Sequence, residues 1–121
     1  DLDHFKQVND THGHLVGDQV LEQLGQLLKQ RLRAGDLAAR WGGEEFALIL
    51  PGTRLPEALS SAHSLQSFVA QAQVATLPRC TVSMGVTVFR DGDTRRSVCA
   101  RADAALYAAK RAGRNRVVCL D

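Results

Sequence analysis

No apolar run in this chain approaches the ~20 residues that a helix needs to span a bilayer, and no secretory leader pattern is evident. Charge of one sign is not in excess either. Fifteen Lys and Arg against thirteen Asp and Glu leave a formal +2, too balanced for a coat on nucleic acid, so no nucleic-acid polymer is expected as a partner. Cysteine is scarce and unpaired by spacing. Cys80, Cys99 and Cys119 are an odd, scattered set, which argues against a zinc site or a disulfide framework and fits a reducing cytoplasm. Each lies in an apolar run and reads as core filler. Repeats, low-complexity tracts and linkers are absent from the pattern. A single domain over residues 1–121 is expected, and 45% apolar residues suit a globular chain. The first residue is Asp1 rather than methionine, and Asp1-Leu2-Asp3 reads as the middle of something. The expectation is therefore a piece of a longer protein, on the cytoplasmic side if that protein is membrane-anchored.

What is present has clear periodicity. Val20, Leu21, Leu24, Leu27, Leu28 and Leu32 mark one face of a helix, with Asp18 as its N-cap and Gly35 as its end. Strand-type runs at Leu37–Trp41 and Phe46–Leu50 flank Gly42-Gly43 and predict a hairpin. A second helix is expected from Pro56 to Ala72, then a long β-type run from Cys80 to Phe89, a helix through Val98 to Ala109, and a last strand in "NRVVCL". The order α-β-β-α-β-α-β, with a strand restored before Asp1, predicts an α+β ferredoxin-like sandwich. Its central sheet would be mostly antiparallel and flanked by helices. The Gly-Gly connection is too short for a parallel crossover.

The carboxylates come next. Asp1 and Asp3 alternate at a strand end and so share a face, while Glu44 and Glu45 follow the glycines at the hairpin tip. A ferredoxin-like sheet can make those two places neighbours. Carboxylates from two strands suit a hard cation such as Mg²⁺ that keeps waters and phosphates in its other positions. The plain reading makes all four surface acids, and Gly42 and Gly43 likewise serve either a positive-φ turn or the close approach of a substrate. His4 to Asp18 reads as a polar loop between strand end and helix start, a common ligand position. In it Lys6 can reach a phosphate, Asn9 offers both donor and acceptor to a base edge, and Asp18 is either a helix cap or an acceptor for N–H groups. The basic residues Arg101, Lys110, Arg111, Arg114 and Arg116 fit a solvated helix end or a phosphate pocket.

Four blocks taken together, "DLDHFKQVNDTHGHLVGD", "RWGGEEF", "TVSMGV" and "RADAALYAAKRAGRNRV", resemble the GGDEF-domain family of diguanylate cyclases, in the family's order and across almost the whole chain. The resemblance implies a palm-like nucleotidyl-cyclase fold in which two domains, each holding one GTP, make cyclic di-GMP and pyrophosphate. It implies Mg²⁺, with Mn²⁺ as the alternative ion, bound by Asp1, the Leu2 carbonyl, Glu44 and Glu45. Glu44 would help deprotonate the attacking 3′-hydroxyl, and Glu45 and Lys6 would share the catalytic site. Asn9 and Asp18 would read guanine, Gly42 and Gly43 would make room for GTP, and Lys6, Lys110 and Arg114 would hold phosphates. Arg33 and Asp36 match the family's R-x-x-D product site, with Ser64 where a further arginine is often found. The partners implied are GTP, cyclic di-GMP, a second GGDEF domain, and an N-terminal sensory or receiver domain. The family's leading helix and most of its first strand lie outside the 121 residues. A catalytically silent GGDEF module that binds GTP or cyclic di-GMP is the other reading, and its usual sign is loss of the signature acids.

Overall fold

The computed structural model describes residues 1–72, 74 and 76–121. Its elements in chain order are α1 (Phe5–His12), α2 (His14–Arg31), β1 (Leu37–Arg40), β2 (Phe46–Ile49), α3 (Leu55–Gln71), β3 (Met84–Val86), α4 (Arg95–Arg111) and β4 (Val117–Cys119). Among the described residues, no helix is long and apolar enough to cross a membrane.

Two corrections concern the first twenty residues. The segment expected as a polar loop is mostly helical, because Phe5 and Val8 bury one short face against the core. That burial outweighs the poor helix propensity of Asn9, Asp10 and Thr11. Asp18 is not a cap. Helix α2 begins four residues earlier, after Gly13 at φ 88°, and Asp18 lies exposed within it. The backbone break at Gly13, a conformation glycine adopts freely, separates the two helices.

The expected apolar stripe of α2 is the centre of the core. Val20, Leu21, Leu24, Leu27 and Leu28 pack with Leu2, Phe5, Val8, Leu65, Val69 and Val82. Burying each such side chain contributes about 1.5–3 kcal/mol. Helix α3 supplies Ala58, Ala62, Leu65 and Val69 from its buried stripe.

Strands β1 and β2 pair antiparallel, Leu37 opposite Ile49 and Arg40 opposite Phe46. Strands β3 and β4 pair parallel, Met84 opposite Val117. The other pairings described are antiparallel, as expected, and β3 and β4 are parallel because α4 carries the chain back over the sheet, the crossover that parallel strands need. Residues 1–3 join the two ladders. The Leu2 N–H donates to the Glu44 carbonyl at 3.2 Å, Asp3 N–H to Thr81 O at 2.9 Å, and Ser83 N–H to Asp1 O at 3.0 Å, with an antiparallel bridge between Leu2 and Val82. In the resulting order, β1-β2-(residues 1–3)-β3-β4, the first four positions are the ferredoxin-like arrangement and β4 is a parallel addition at its edge.

Strand alternation then assigns the faces. Leu2, Val82 and Met84 point toward α2 and α3, whereas Gly85 points toward α4. A Cβ at Gly85 would overlap the Ala102 carbonyl and the Leu106 nitrogen. Helix α4 lies that close because Ala105 and Ala109 are fully buried and small. Asp1 and Asp3 share the α4 face, the face on which the candidate site is built.

Candidate active site

Leu2 sits in the core, and the acids on either side of it, Asp1 and Asp3, face α4. Its N–H bond to the Glu44 carbonyl ties the strand end to the Gly42–Glu45 loop. Asp1 turns toward α4, where Lys110 Nζ donates to its Oδ2 at 2.5 Å. That carboxylate is 3% exposed and the ammonium 34%. The other oxygen, Asp1 Oδ1, is buried without a hydrogen-bond partner among the described residues. Lys110 therefore lies against a carboxylate instead of standing free at the end of its helix.

The connection between β1 and β2 runs over five residues, Trp41 to Glu45. Trp41 and Gly42 N–H groups both donate to the Glu45 carbonyl, at 2.8 and 3.3 Å. Neither Gly42 nor Gly43 has positive φ, unlike Gly13, Gly35, Gly52, Gly92 and Gly113. The turn reading of the pair is thus corrected: this backbone does not demand glycine. A Cβ on Gly43 would meet nothing within 4 Å, so the glycine leaves open space beside the acids. Arg40 holds the loop from below, donating to the Gly42 carbonyl at 3.2 Å and to the Gly43 carbonyl at 2.7 Å. Its position in a β-type run carried no signal of that role.

On α1, Lys6 is exposed and Asn9 is half-buried. Asn9 Oδ1 is buried and has no partner among the described residues, an arrangement that normally costs free energy and so calls for a donor. It lies against Gly17 of α2, where a Cβ would overlap it. Gly17 was not singled out in the sequence, although a glycine inside a helix costs about 1 kcal/mol and so hints at a special need. Asp18 follows it directly, exposed beside the same corner.

The end of α4 is built by Asp3, which is 5% exposed. Asp3 Oδ1 accepts from Ser83 Oγ at 2.6 Å. Its Oδ2 accepts from Thr81 Oγ1 at 2.6 Å and from the Asn115 N–H at 3.0 Å. Arg114 and Asn115 have φ of 64° and 48°, left-handed conformations that cost about 1–2 kcal/mol each outside glycine. The sequence pairs Asp3 with Asp1 on one face, and the face is as expected, but the two acids differ. Asp3 is saturated with donors, whereas Asp1 keeps an orphaned oxygen.

Arg33 and Asp36 lie elsewhere, in the turn between α2 and β1. Asp36 Oδ2 accepts from the Arg33 backbone N–H at 3.0 Å and from its Nε at 3.4 Å. Arg33 Nη2 reaches Thr53 Oγ1 at 2.6 Å, a partner with no sequence signal. Ser64 is exposed on α3. Arg101, counted among the basic residues, is structural. It bridges Thr87, Val88 and both oxygens of Asp93. Its hydrogen bonds, helped by the Arg90 N–H and the Ser97 hydroxyl, hold the Asp93 carboxyl far below the usual carboxylate range. Burial, with a smaller push from Asp3, raises the Cys80 thiol, in keeping with core filler.

The oxygen atoms near Leu2 fit a hard cation. Asp1 Oδ1 is unpartnered, and the Leu2 carbonyl accepts no backbone hydrogen bond among those described. Glu44 and Glu45 make no ion pair among the described residues. No three acidic, histidine or cysteine side chains converge into a ready-made metal group among these residues. The Asp1, Glu44 and Glu45 carboxylates are thus not drawn together into one set of ligands.

The family model for the diguanylate cyclase GGDEF domain matches residues 1–116. The chain is 48% identical over 118 residues to diguanylate cyclase DgcM of Escherichia coli K12, covering 98% of this chain and 29% of that protein. It thus spans less than a third of that relative's length. Among solved structures, the coiled coil and GGDEF domain of DgcB from Caulobacter crescentus, in complex with c-di-GMP, superposes with a TM-score of 0.93 at 37% identity, covering 99% of this chain and 66% of that one. Diguanylate cyclase SiaD of Pseudomonas aeruginosa, solved with its activator SiaC, gives 0.92 at 46% identity over 99% and 47% of the two chains. With the family model matching nearly its whole length, the chain belongs to the GGDEF diguanylate cyclase family.

Proposed function

We propose that this chain is the catalytic module of a diguanylate cyclase, condensing two GTP molecules into cyclic di-GMP and two pyrophosphates. The observation that carries the reading is the Leu2 to Glu44 hydrogen bond. It joins the acid-bearing strand end, the open glycine loop and, through Asp1, the Lys110 cation on α4. Asp1, the Leu2 carbonyl, Glu44 and Glu45 would hold Mg²⁺ or Mn²⁺. When bound, that ion neutralises charge on the α-phosphate and lowers the pKa of the attacking hydroxyl. Lys6, Lys110 and Arg114 hold the triphosphate by charge-assisted hydrogen bonds. Glu44 accepts the 3′-hydroxyl proton, with Glu45 and Lys6 beside it. Asn9, through its unpartnered oxygen, and Asp18 accept from the amino and ring N–H groups of guanine. Gly42 and Gly43 leave the nucleotide room to approach.

One site holds one GTP, so attack on the other nucleotide needs a second copy of the module facing it, and dimerisation supplies the orientation. A sensory or receiver domain N-terminal to residues 1–121 would govern that encounter on the cytoplasmic side. Arg33 and Asp36 form the product site through which cyclic di-GMP inhibits.

The test is to incubate the full-length protein with Mg²⁺ and GTP and to separate the products by anion-exchange chromatography. Wild type is expected to give cyclic di-GMP and pyrophosphate in a 1:2 ratio, and Glu44→Gln is expected to lower turnover at least about 100-fold. Intact GTP after prolonged incubation of the dimeric protein would refute the reading.

A further inference from the structure

The geometry points to Asp3 as a positioning residue for Arg114, acting through the backbone of Asn115. The inference rests on the reading of Arg114 as a phosphate contact and extends it to a residue that touches no substrate. Three features support it. Asp3 is a buried anion with no cation against it among the described residues. It is balanced by three neutral donors, Ser83 Oγ, Thr81 Oγ1 and the Asn115 N–H, from the neighbouring strand segment and the loop after α4. A buried carboxylate is costly, and this one is saturated by donors that also tie the two pieces of chain together.

The second feature is the turn it holds. Gly113, Arg114 and Asn115 are left-handed in succession, at φ 117°, 64° and 48°, and only the first is glycine. Such a run persists where its surroundings over-determine it. Here the Arg114 N–H returns to the Ala109 carbonyl at 3.0 Å, and the Asn115 N–H is taken by Asp3. Gln66 Nε2 of α3 donates to the Asn115 carbonyl at 3.3 Å and to its Oδ1 at 2.6 Å. The third feature is placement. The clamped turn begins where α4 ends, so it sets the direction of the Arg114 side chain relative to Lys110 and Asp1. Without an acceptor at Asp3 Oδ2, the Asn115 N–H loses its partner, the turn relaxes and Arg114 leaves its place.

Simple electrostatics predicts the opposite sign. Removing a negative charge near a triphosphate should tighten GTP binding, whereas lost positioning should weaken it. The experiment uses the full-length protein and GTP with Asp3→Leu, which has the shape of aspartate but no acceptor, Arg114→Ala and the double variant, beside Asn9→Ala with and without Asp3→Leu. Asp3→Leu is expected to raise KM for GTP about tenfold, the size of one charge-assisted hydrogen bond. It should change KM less than about twofold when Arg114 is already alanine, yet act in full when Asn9 is alanine. Asn115→Gly, which keeps the N–H and suits the φ, is expected to retain wild-type KM. Amide exchange in wild type should show Asn115 protected like the β3 amides, a readout that needs neither nucleotide nor variant. An unchanged or lower KM in a folded Asp3→Leu protein, an equal effect in the Arg114→Ala background, or a fast-exchanging Asn115 amide overturns the proposal. Wild type that binds no GTP sinks the functional reading and this inference together. GTP binding without Asp3–Arg114 coupling sinks the inference alone.

Discussion

Gly17→Ala separates stability from base recognition. Within a helix, alanine normally stabilises over glycine by about 0.8–1 kcal/mol. At this site the added methyl overlaps Asn9 Oδ1 and stands 3.0 Å from Asn9 Cγ and 3.2 Å from Phe5 Cζ. The Phe5 ring is core and cannot retreat far, so the Asn9 amide must rotate away. Overpacking of this kind costs about 1–3 kcal/mol. The net change in fold stability is then within about 2 kcal/mol, a Tm shift of up to about 8 °C. The effect on the nucleotide is more selective. One hydrogen bond to the guanine amino group is lost, and a displaced or unpaired amide adds to that loss. With about 1.4 kcal/mol per factor of ten, KM for GTP should rise about tenfold. Inosine triphosphate lacks the 2-amino group, so its KM should move little and the preference for GTP should shrink. Steady-state kinetics with both nucleotides, alongside a thermal melt, measures this. Adding Gly17→Ala to Asn9→Ala should cost nothing further in KM, because the clashing oxygen is gone. A folded Gly17→Ala protein with wild-type KM and wild-type preference for GTP would refute the reasoning.

Two other outcomes are expected. The Asp93 carboxyl is held low by Arg101 in the folded protein, so its contribution to stability is fully present above the unfolded carboxylate pKa of about 4 and fades as pH falls below it. Asp93→Asn should therefore lower Tm at pH 7, with the gap to wild type narrowing as pH falls below about 4 and closing only in strong acid, and a Tm difference independent of pH would show that Asp93 does not act through its charge. Arg33→Ala should weaken inhibition by added cyclic di-GMP while leaving initial velocity and Tm nearly unchanged, since the Arg33 side chain is 67% exposed and its backbone N–H still donates to the less exposed Asp36 carboxylate after the substitution. Undiminished inhibition in that variant would remove Arg33 from the product site.

Much of this architecture could be read from periodicity. The α2 stripe, the hairpin, α3, α4 and the last strand all lie within a few residues of expectation, because long apolar faces must be buried wherever they occur. Helix α1 escaped because eight residues hold only two buried positions, Phe5 and Val8, too few to show a period. Asp18 was misplaced as a cap because an aspartate before an apolar stripe is a good N-cap signal, while the actual break at Gly13 depends on backbone geometry. The acids at Asp1, Glu44 and Glu45 stand out in the sequence only as parts of the motif blocks. That Asp1 keeps a free oxygen while Asp3 is saturated was not, since both are aspartates on the same face of the same strand end.

Residue types and local spacing alone determined the helices and strands other than α1, the family signature and the stock of acids and cations, because these follow from side-chain chemistry and near neighbours. Tertiary structure decided which of those groups meet. Leu2 bonds to Glu44 and Lys110 reaches Asp1 across 109 positions of sequence, and Asp3 holds Asn115 across 112. Contacts over such separations depend on how the sheet is ordered and which face α4 covers. No local pattern encodes that order; it follows from burying every apolar face at once.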